Sequence, residues 1–99
     1  MTPKYYIISL KHTSKQEKWI TLWRPNNAGY CYAKKDAGIY QEIEDGYHNH
    51  EGDSLPVETH KLDGYFIPHE YLGESIPNCK QVWDAFNLRM TKNGLVLNK

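Results

Sequence analysis

Aromatic and cationic residues cluster between Trp23 and Tyr40, where the chain reads WRPNNAGYCYAKKDAGIY. Aromatic rings stack on planar ligands, and an arginine guanidinium can stack on a ring or bind a carboxylate or phosphate through two hydrogen bonds. These residue types predict a surface patch that faces a ligand or a partner. Its candidate members are Trp19, Trp23, Arg24, Tyr30, Tyr32 and Tyr40. The alternative is a small hydrophobic core, with the arginine stem lying along the rings and its charged end in water.

A second candidate site lies in the segment GYHNHEGD, which places His48 and His50 two residues apart with Glu51 and Asp53 beside them. Both imidazoles lie on one side of the backbone if this segment is extended. Imidazole and carboxylate are common ligands of zinc and manganese, and a histidine oriented by a carboxylate can act as a general base. The spacing matches no recognised metal motif. A third ligand would come from His12, His60 or His69. A solvated polar loop is the alternative.

The two cysteines, Cys31 and Cys79, are too few and too far apart for a zinc motif or a redox pair. We predict that both are small buried hydrophobic residues. The sequence has no signal-peptide pattern and no long apolar run, which favours a cytoplasmic protein with reduced thiols and no membrane partner. No cofactor motif is present, so we expect no cofactor and no catalytic residue.

Charge is balanced overall but divided along the chain. Twelve Lys and Arg residues match twelve Asp and Glu residues, so no global field favours indiscriminate binding to nucleic acid or membranes. Residues 1–35 carry seven basic residues against Glu17, whereas residues 36–75 carry ten acidic residues against Lys61. The two zones either neutralise each other, within the chain or between copies, or form separate basic and acidic faces.

Alternating residues predict two paired strands at the N-terminus. Residues 5–11 place Tyr6, Ile8 and Leu10 on one face, and residues 18–23 alternate in the same way. A hairpin of these strands has one aliphatic face for the core. Its other face is too apolar to lie fully in water. That second face contains Tyr5, Ile7, Trp19 and Trp23. Either the C-terminal helix or a partner is expected to cover it.

Turn residues follow these strands. Pro25 lacks an N–H donor and ends the second strand, and Asn26, Asn27 and Gly29 tolerate positive φ, so Tyr30 begins a third strand after a tight reversal. Residues 42–56 are rich in acids, Gly and Pro, and predict a long acidic surface loop. Two short strands are predicted in residues 55–68, joined by the turn at residues 63–64.

The C-terminal quarter contains the one predicted main helix. Asn78 is the expected N-cap, with Gln81 three residues later as in a capping box, and apolar residues then recur at helical spacing. Asn93 and Gly94 predict a type I′ hairpin turn between two short terminal strands. The fold class is therefore α+β in a single domain of residues 1–99: an antiparallel sheet of three to five strands packed against one C-terminal helix, with a long acidic loop.

Several short motifs give the chain a family resemblance. They are YYIISLKHT at residues 5–13, ITLWRP at 20–25, GYCY at 29–32, AGIY at 37–40 and GYHN at 46–49. In these motifs the chain resembles small accessory proteins encoded by tailed phages and prophages of enteric bacteria. The resemblance covers about the first half of the chain. It implies a phage accessory protein that acts in the host cytoplasm, in host takeover or evasion of host defence.

We therefore expect a binding protein without catalysis. It would neutralise or redirect a host protein through the aromatic N-terminal face, or by mimicking nucleic acid with its acidic middle zone. One alternative is binding of nucleic acid or a nucleotide, with bases stacked on Trp19, Trp23 or Tyr30. The phosphate contacts in that case are Lys11, Lys15, Lys18, Arg24, Lys34 and Lys35. The other alternative is a metal-dependent enzyme at His48 and His50. The sequence leaves the oligomeric state open.

Overall fold

An antiparallel sheet of four strands, in the order β3-β2-β1-β4, forms the centre of the fold. The structure is a computed structural model that describes residues 3–50 and 52–98. The strands of this sheet are β1 (Tyr5–Ser9), β2 (Leu22–Trp23), β3 (Tyr30–Cys31) and β4 (Ser54–Glu58). The expected antiparallel sheet is confirmed.

Shorter elements follow the sheet. They are α1 (Thr59–Leu62), β5 (Ile67–His69), β6 (Gly73–Ser75), α2 (Lys80–Ala85), β7 (Leu88–Thr91) and β8 (Gly94–Leu97). Strands β5 and β6 form one hairpin, and β7 and β8 form another. Single 3-10 turns occupy Pro25–Asn27, Lys34–Asp36 and Asp63–Tyr65. The α+β class is confirmed, although the main helix, α2, has only six residues.

The aliphatic face of the sheet forms the core. Ile8 lies opposite Leu22 in β2, and Tyr6 lies opposite Val57 in β4, so these side chains share a face. All four are buried. The helix α2 adds Val82, and the terminal hairpin and the segment before α2 add further aliphatic side chains, to the same cluster. The predicted core residues of β1 are thus packed as expected.

On the second face of the sheet, Trp23 is covered by a loop rather than by the expected C-terminal helix. Ile7 is fully buried, and Trp23 is only 8% exposed. The indole of Trp23 packs edge-on against Tyr47 and lies 5.5 Å from the His48 ring, measured between centroids. The acidic loop, and not α2, therefore covers Trp23. This loop spans residues 41–53, because Ser54, which was expected in the loop, begins β4.

Two local predictions in the N-terminal strands and the helix are wrong. Only Leu22 and Trp23 of the second strand join the sheet, because the backbone of residues 18–20 pairs instead with residues 76–78. Asn78 does not cap α2, whose N-cap is Cys79. The Asn78 side chain instead donates to the carbonyls of Ser14 and Glu17 and accepts from the Trp83 indole N–H. A capping residue is thus used to join α2 to the N-terminal half.

The other corrections concern turns. Residues 63–64 do not join two strands, because the helix α1 and a 3-10 turn follow β4 directly. The terminal hairpin forms as predicted, but its strands pair at Thr91 and Gly94, so Lys92 and Asn93 are the loop residues. Neither has a positive φ, and the turn is therefore not of type I′. A Cβ on Gly94 would lie 2.8 Å from the Leu10 carbonyl oxygen, so glycine is needed for close packing.

Within residues 3–50 and 52–98, no helix is long and apolar enough to cross a membrane.

Candidate functional site: the Tyr30 cleft

The reversal between β2 and β3 places Tyr30 beside Trp23. Asn26 and Asn27 adopt φ angles of 60° and 59°, and Gly29 adopts 109°. These are left-handed conformations that asparagine and glycine tolerate better than other residues. The Arg24 N–H then donates to the Gly29 carbonyl. The predicted strand, turn and strand are confirmed.

The following segment braces this turn. The Gly38 N–H donates to the Trp23 carbonyl at 2.8 Å, and a Cβ on Gly38 would lie 2.8 Å from the Pro25 nitrogen. Only glycine allows this approach. The Tyr40 hydroxyl donates to the Arg24 carbonyl and accepts from the Asn27 N–H. Burial raises the pKa of Tyr40, which keeps its hydroxyl available as a donor.

A cleft of about 460 Å³ opens beside β2 and β3. We call it the Tyr30 cleft. It is lined by His12, Glu17, Thr21, Arg24, Tyr30, Cys31, Tyr32, Ala33, Asp36 and Leu72. Its volume lies within the range of small-ligand pockets, and it combines apolar walls with a few charged groups. Three of the six predicted site residues line it: Arg24, Tyr30 and Tyr32.

An aromatic pair forms one rim of the cleft. The rings of Tyr30 and His12 lie 4.2 Å apart between centroids, and Tyr30 is 46% exposed. Arg24 is also exposed, and its Nε donates to the Tyr30 carbonyl at 3.0 Å. This bond fixes the base of the guanidinium next to the rings. The same two rings line a second cleft of about 210 Å³, together with Trp23 and Tyr47.

Two groups deeper in the cleft keep their protons. The Tyr32 hydroxyl donates to a Glu17 carboxylate oxygen, and this hydrogen bond raises the pKa of Tyr32. Burial raises the pKa of the Cys31 thiol to about 11, an effect that Arg24 opposes. A neutral thiol is a poor nucleophile. Both groups therefore shape the cleft as neutral side chains near pH 7.

The other three predicted site residues lie outside the cleft. Trp23 packs edge-on to Tyr30, and its buried indole N–H has no hydrogen-bond partner among the described residues. Tyr40 braces the turn. Trp19 is half-buried, packs edge-on against His69 and does not line the cleft. The aromatic cluster predicted from the sequence is thus divided between one cleft, its support and a separate contact.

The histidine loop is built from hydrogen bonds. His48 is buried, its Nδ1 accepts from the Glu44 N–H at 2.8 Å, and its Nε2 lies 2.9 Å from the Asn27 side-chain oxygen. His50 is exposed and pairs with Asp53 at 3.0 Å. Glu51, a further expected neighbour, lies outside the described residues.

These contacts give the metal hypothesis no support. Both ring nitrogens of His48 are occupied by hydrogen bonds within the protein. Across residues 3–50 and 52–98, no three His, Cys, Asp or Glu side chains are grouped closely enough to hold a metal ion. The predicted solvated loop is also only half right, because His48 is buried against Trp23.

The basic and acidic zones of the sequence meet at Lys34. Its Nζ lies 3.8 Å from an Asp63 oxygen and 3.6 Å from a Glu74 oxygen, and it also lies over the Phe66 ring. Of the alternatives for the two zones, contact within the chain is therefore observed at this point. Lys34 was a predicted phosphate contact, but it is engaged in these internal pairs.

His12, Glu17 and Asp36 are among the cleft residues that the sequence does not predict as site residues. His12 and Glu17 belong to the polar connection between β1 and β2, where the sequence predicts only a hairpin loop. A polar loop has no periodicity that reveals which side chain turns back onto a neighbouring strand. Asp36 follows two lysines, and its position depends on the 3-10 turn Lys34–Asp36.

Comparisons with known proteins show no relative of this chain. No family model matches it, and neither does any curated protein or solved structure. The resemblance to phage accessory proteins therefore stays a prediction.

Proposed function

We propose that this protein is a non-catalytic binding protein that docks on a partner protein through the Tyr30 cleft and its rim. The observation that carries the proposal is the exposed Tyr30 ring, which packs at a tilt against His12 and lies beside an arginine whose guanidinium is held at one end. Tyrosine and arginine are the residues that most often dominate binding energy in protein interfaces. Their rigid support lowers the entropy lost on binding.

The chemistry of the cleft favours binding over catalysis. Its thiol, Cys31, has a pKa raised to about 11 by burial and is neutral near pH 7. Its phenol, Tyr32, stays protonated and donates a hydrogen bond to Glu17. Neither group is activated as a nucleophile or base in the way that catalytic groups are. The setting we propose is the one that the resemblance implies, in which a phage protein binds a host protein and redirects or blocks it.

A second candidate function is binding of single-stranded nucleic acid or a nucleotide. The specific observation in its favour is the same pair of contacting rings next to Arg24, since bases stack on aromatic side chains whose neighbouring cations contact phosphate. The carboxylates of Glu17 and Asp36 line the same cleft and repel a phosphate. Binding of a fluorescent single-stranded oligonucleotide would weaken steeply with added salt if this candidate is right.

The experiment that tests the proposal is an affinity pull-down of the tagged protein from lysate of an enteric bacterium, with and without nuclease, read by mass spectrometry. We expect one nuclease-resistant protein at near-equal stoichiometry. Tyr30→Ala should reduce its recovery about tenfold or more, which corresponds to about 1.4 kcal/mol.

Tyr71→Ala is the matched control, because Tyr71 is 80% exposed and lies outside the cleft. Equal loss of the partner in both variants would contradict the proposed site. Recovery of nucleic acid, with every protein lost after nuclease treatment, would favour the second candidate instead.

A further inference from the structure

Two opposite charges line the Tyr30 cleft without neutralising each other. Arg24 and Asp36 both border it, and neither belongs to any ion pair among the described residues. Opposite charges that share a cleft attract each other. Among the described residues, neither group lies within 4 Å of an oppositely charged side chain, so each is left to interact with something that enters the cleft.

Both charges are held by short, hydrogen-bonded segments. Arg24 donates from its backbone N–H to the Gly29 carbonyl and from Nε to the Tyr30 carbonyl. Asp36 ends a 3-10 turn, and its backbone N–H donates to the Ala33 carbonyl at 3.1 Å. The backbone at both positions is therefore held before a ligand binds, and the Arg24 guanidinium is also held at Nε, which reduces the entropy cost of recognising a ligand.

The neighbours that would otherwise cancel these charges are engaged elsewhere. Lys34 lies two residues before Asp36, but its ammonium group pairs with Asp63 and Glu74. The Glu17 carboxylate also borders the cleft, but one of its oxygens accepts the Tyr32 hydroxyl. Arg24 and Asp36 remain as the two charged groups of the cleft with no side-chain partner among the described residues.

The buried thiol of Cys31 lines the same cleft as both charges. Burial is the main cause of its raised pKa, Arg24 acts to lower that pKa, and Asp36 acts to raise it further. Opposite charges near one titratable group shift its pKa in opposite directions. Arg24 and Asp36 thus border the same space above Cys31.

We propose that the Tyr30 cleft binds a zwitterionic ligand, with its carboxylate on Arg24, its ammonium group on Asp36 and an aromatic or apolar body against Tyr30 and His12. The inference rests on the proposed function and names the chemistry of the group that the partner inserts. A guanidinium binds a carboxylate through two hydrogen bonds, and a carboxylate accepts from an ammonium group. A ligand with only negative charge would satisfy Arg24 and be repelled by Asp36.

This chemistry has two possible sources. A segment of a partner protein supplies it when an acidic and a basic side chain flank an aromatic one. A free aromatic amino acid supplies it through its own α-carboxylate and α-ammonium groups. The probes are therefore a capped tripeptide, acetyl-Glu-Phe-Lys-amide, and free L-phenylalanine. Two further capped peptides, with Gln in place of Glu or Met in place of Lys, each remove one charge.

The test is a titration of ¹⁵N-labelled protein with each probe at low salt, followed by NMR chemical shifts. We expect saturable shifts at His12, Arg24, Tyr30 and Asp36, and a Kd that rises about tenfold when either charge of the peptide is removed. Arg24→Gln should weaken binding of the peptides that contain Glu and leave binding of the peptide that lacks Glu unchanged. Asp36→Asn should weaken binding of the peptides that contain Lys and leave binding of the peptide that lacks Lys unchanged.

Arg89→Gln and Asp84→Asn are the matched controls, since both residues are exposed and lie outside the cleft. Saturable binding of the tripeptide assigns the site to a protein segment, and binding of L-phenylalanine alone assigns it to a small zwitterion. The inference is overturned if neither probe shifts the cleft residues. It is also overturned if the singly charged peptides bind as tightly as the zwitterionic one.

A further pair of results separates this inference from the proposed function. If the pull-down partner is lost with Tyr30→Ala but retained with Arg24→Gln and Asp36→Asn, the cleft binds a protein without zwitterion recognition. If L-phenylalanine binds in a manner that depends on both charges while no partner protein is captured, zwitterion recognition stands and the proposed protein docking fails.

Discussion

The two faces of the central sheet are buried in different ways. On one face, Ile8 and Leu22 pack into a cluster built almost wholly from apolar side chains. On the other face, Trp23 is covered by a loop whose position depends on the hydrogen bonds made by His48 and on the packing of the Tyr47 and His48 rings against the indole. The first kind of cover is non-directional and tolerates exchange of similar residues. The second is directional, so loss of one donor or acceptor leaves a buried group unsatisfied.

This difference also separates stability from function. The aliphatic face supplies the hydrophobic cluster, while hydrogen bonds on the polar side of the molecule position the turn at residues 24–30 and therefore the rim of the Tyr30 cleft. We expect substitutions on the aliphatic face to change the free energy of unfolding without changing the geometry of the cleft. Substitutions in the loop that covers Trp23 should change the free energy of unfolding less and the geometry of the cleft more.

The largest expected effect is at Ile8, which is fully buried in the aliphatic cluster. Ile8→Ala should lower the free energy of unfolding by about 2–5 kcal/mol, because it removes buried methyl groups and leaves a cavity. Urea denaturation measures this change. If the variant does not fold, Ile8→Val should cost about 0.5–1.5 kcal/mol. Ile39→Ala is the matched control at an exposed isoleucine, and a loss there as large as at Ile8 would contradict the assignment of the core.

The next effect is expected at Gly38. A Cβ at this position would lie within 3 Å of backbone atoms of Arg24 and Pro25, so Gly38→Ala should cost about 1–3 kcal/mol and displace the turn. Gly64→Ala is the control, since a Cβ there meets nothing within 4 Å. Thermal unfolding measures the stability of both variants. Equal melting temperatures for the two would show that Gly38 is not closely packed.

His48→Ala should cost about 1–3 kcal/mol, because the Glu44 N–H and the Asn27 side chain lose their partner. It should also raise quenching of tryptophan fluorescence by acrylamide, since the loop no longer covers Trp23. His50→Ala is the control at an exposed histidine of the same loop. Quenching that is the same in both variants would mean that His48 does not hold the cover in place.

The smallest effect concerns the Tyr32 hydroxyl, whose pKa is raised mainly by its hydrogen bond to Glu17. A raised tyrosine pKa favours the neutral form in the folded state. Its contribution to stability is therefore complete below the ordinary pKa of about 10 and is lost as the pH rises through the higher folded-state value.

Tyr32→Phe should accordingly lose about 0.5–1.5 kcal/mol near neutral pH, and it should lose less additional stability than the natural protein above about pH 10. Urea denaturation at a series of pH values measures the difference between the two proteins. A constant difference across the alkaline range would show that the hydrogen bond does not control this titration.

The sequence predicts the aliphatic face better than the polar one, for a physical reason. Alternation in residues 5–11 identifies the core side chains of β1, because burial of apolar area follows the two-residue period of a strand. Pro25, the asparagines after it and Gly29 identify the turn, because their backbone preferences are local. Nothing comparable marks His48 or Asn78, since the partners of a polar side chain are set by tertiary contacts.

The candidate site is divided in the same way. Arg24, Tyr30 and Tyr32 are found from residue type, and they line one cleft. Trp19 and Trp23 are also aromatic, but they pack against other side chains of the protein. Residue type does not separate the two uses, because aromatic rings serve both the core and binding surfaces. His12 and Asp36 lie in short irregular segments, where sequence pattern carries little information about side-chain direction.

The central claim is that the protein binds its partner through the rim of the Tyr30 cleft and not through the rest of its surface. The most direct test is hydrogen exchange of the protein with and without the partner that it captures. We predict slower exchange in residues 24–36 and unchanged exchange in the terminal hairpin of residues 88–97. Protection of that hairpin with no change in residues 24–36 would contradict the claim.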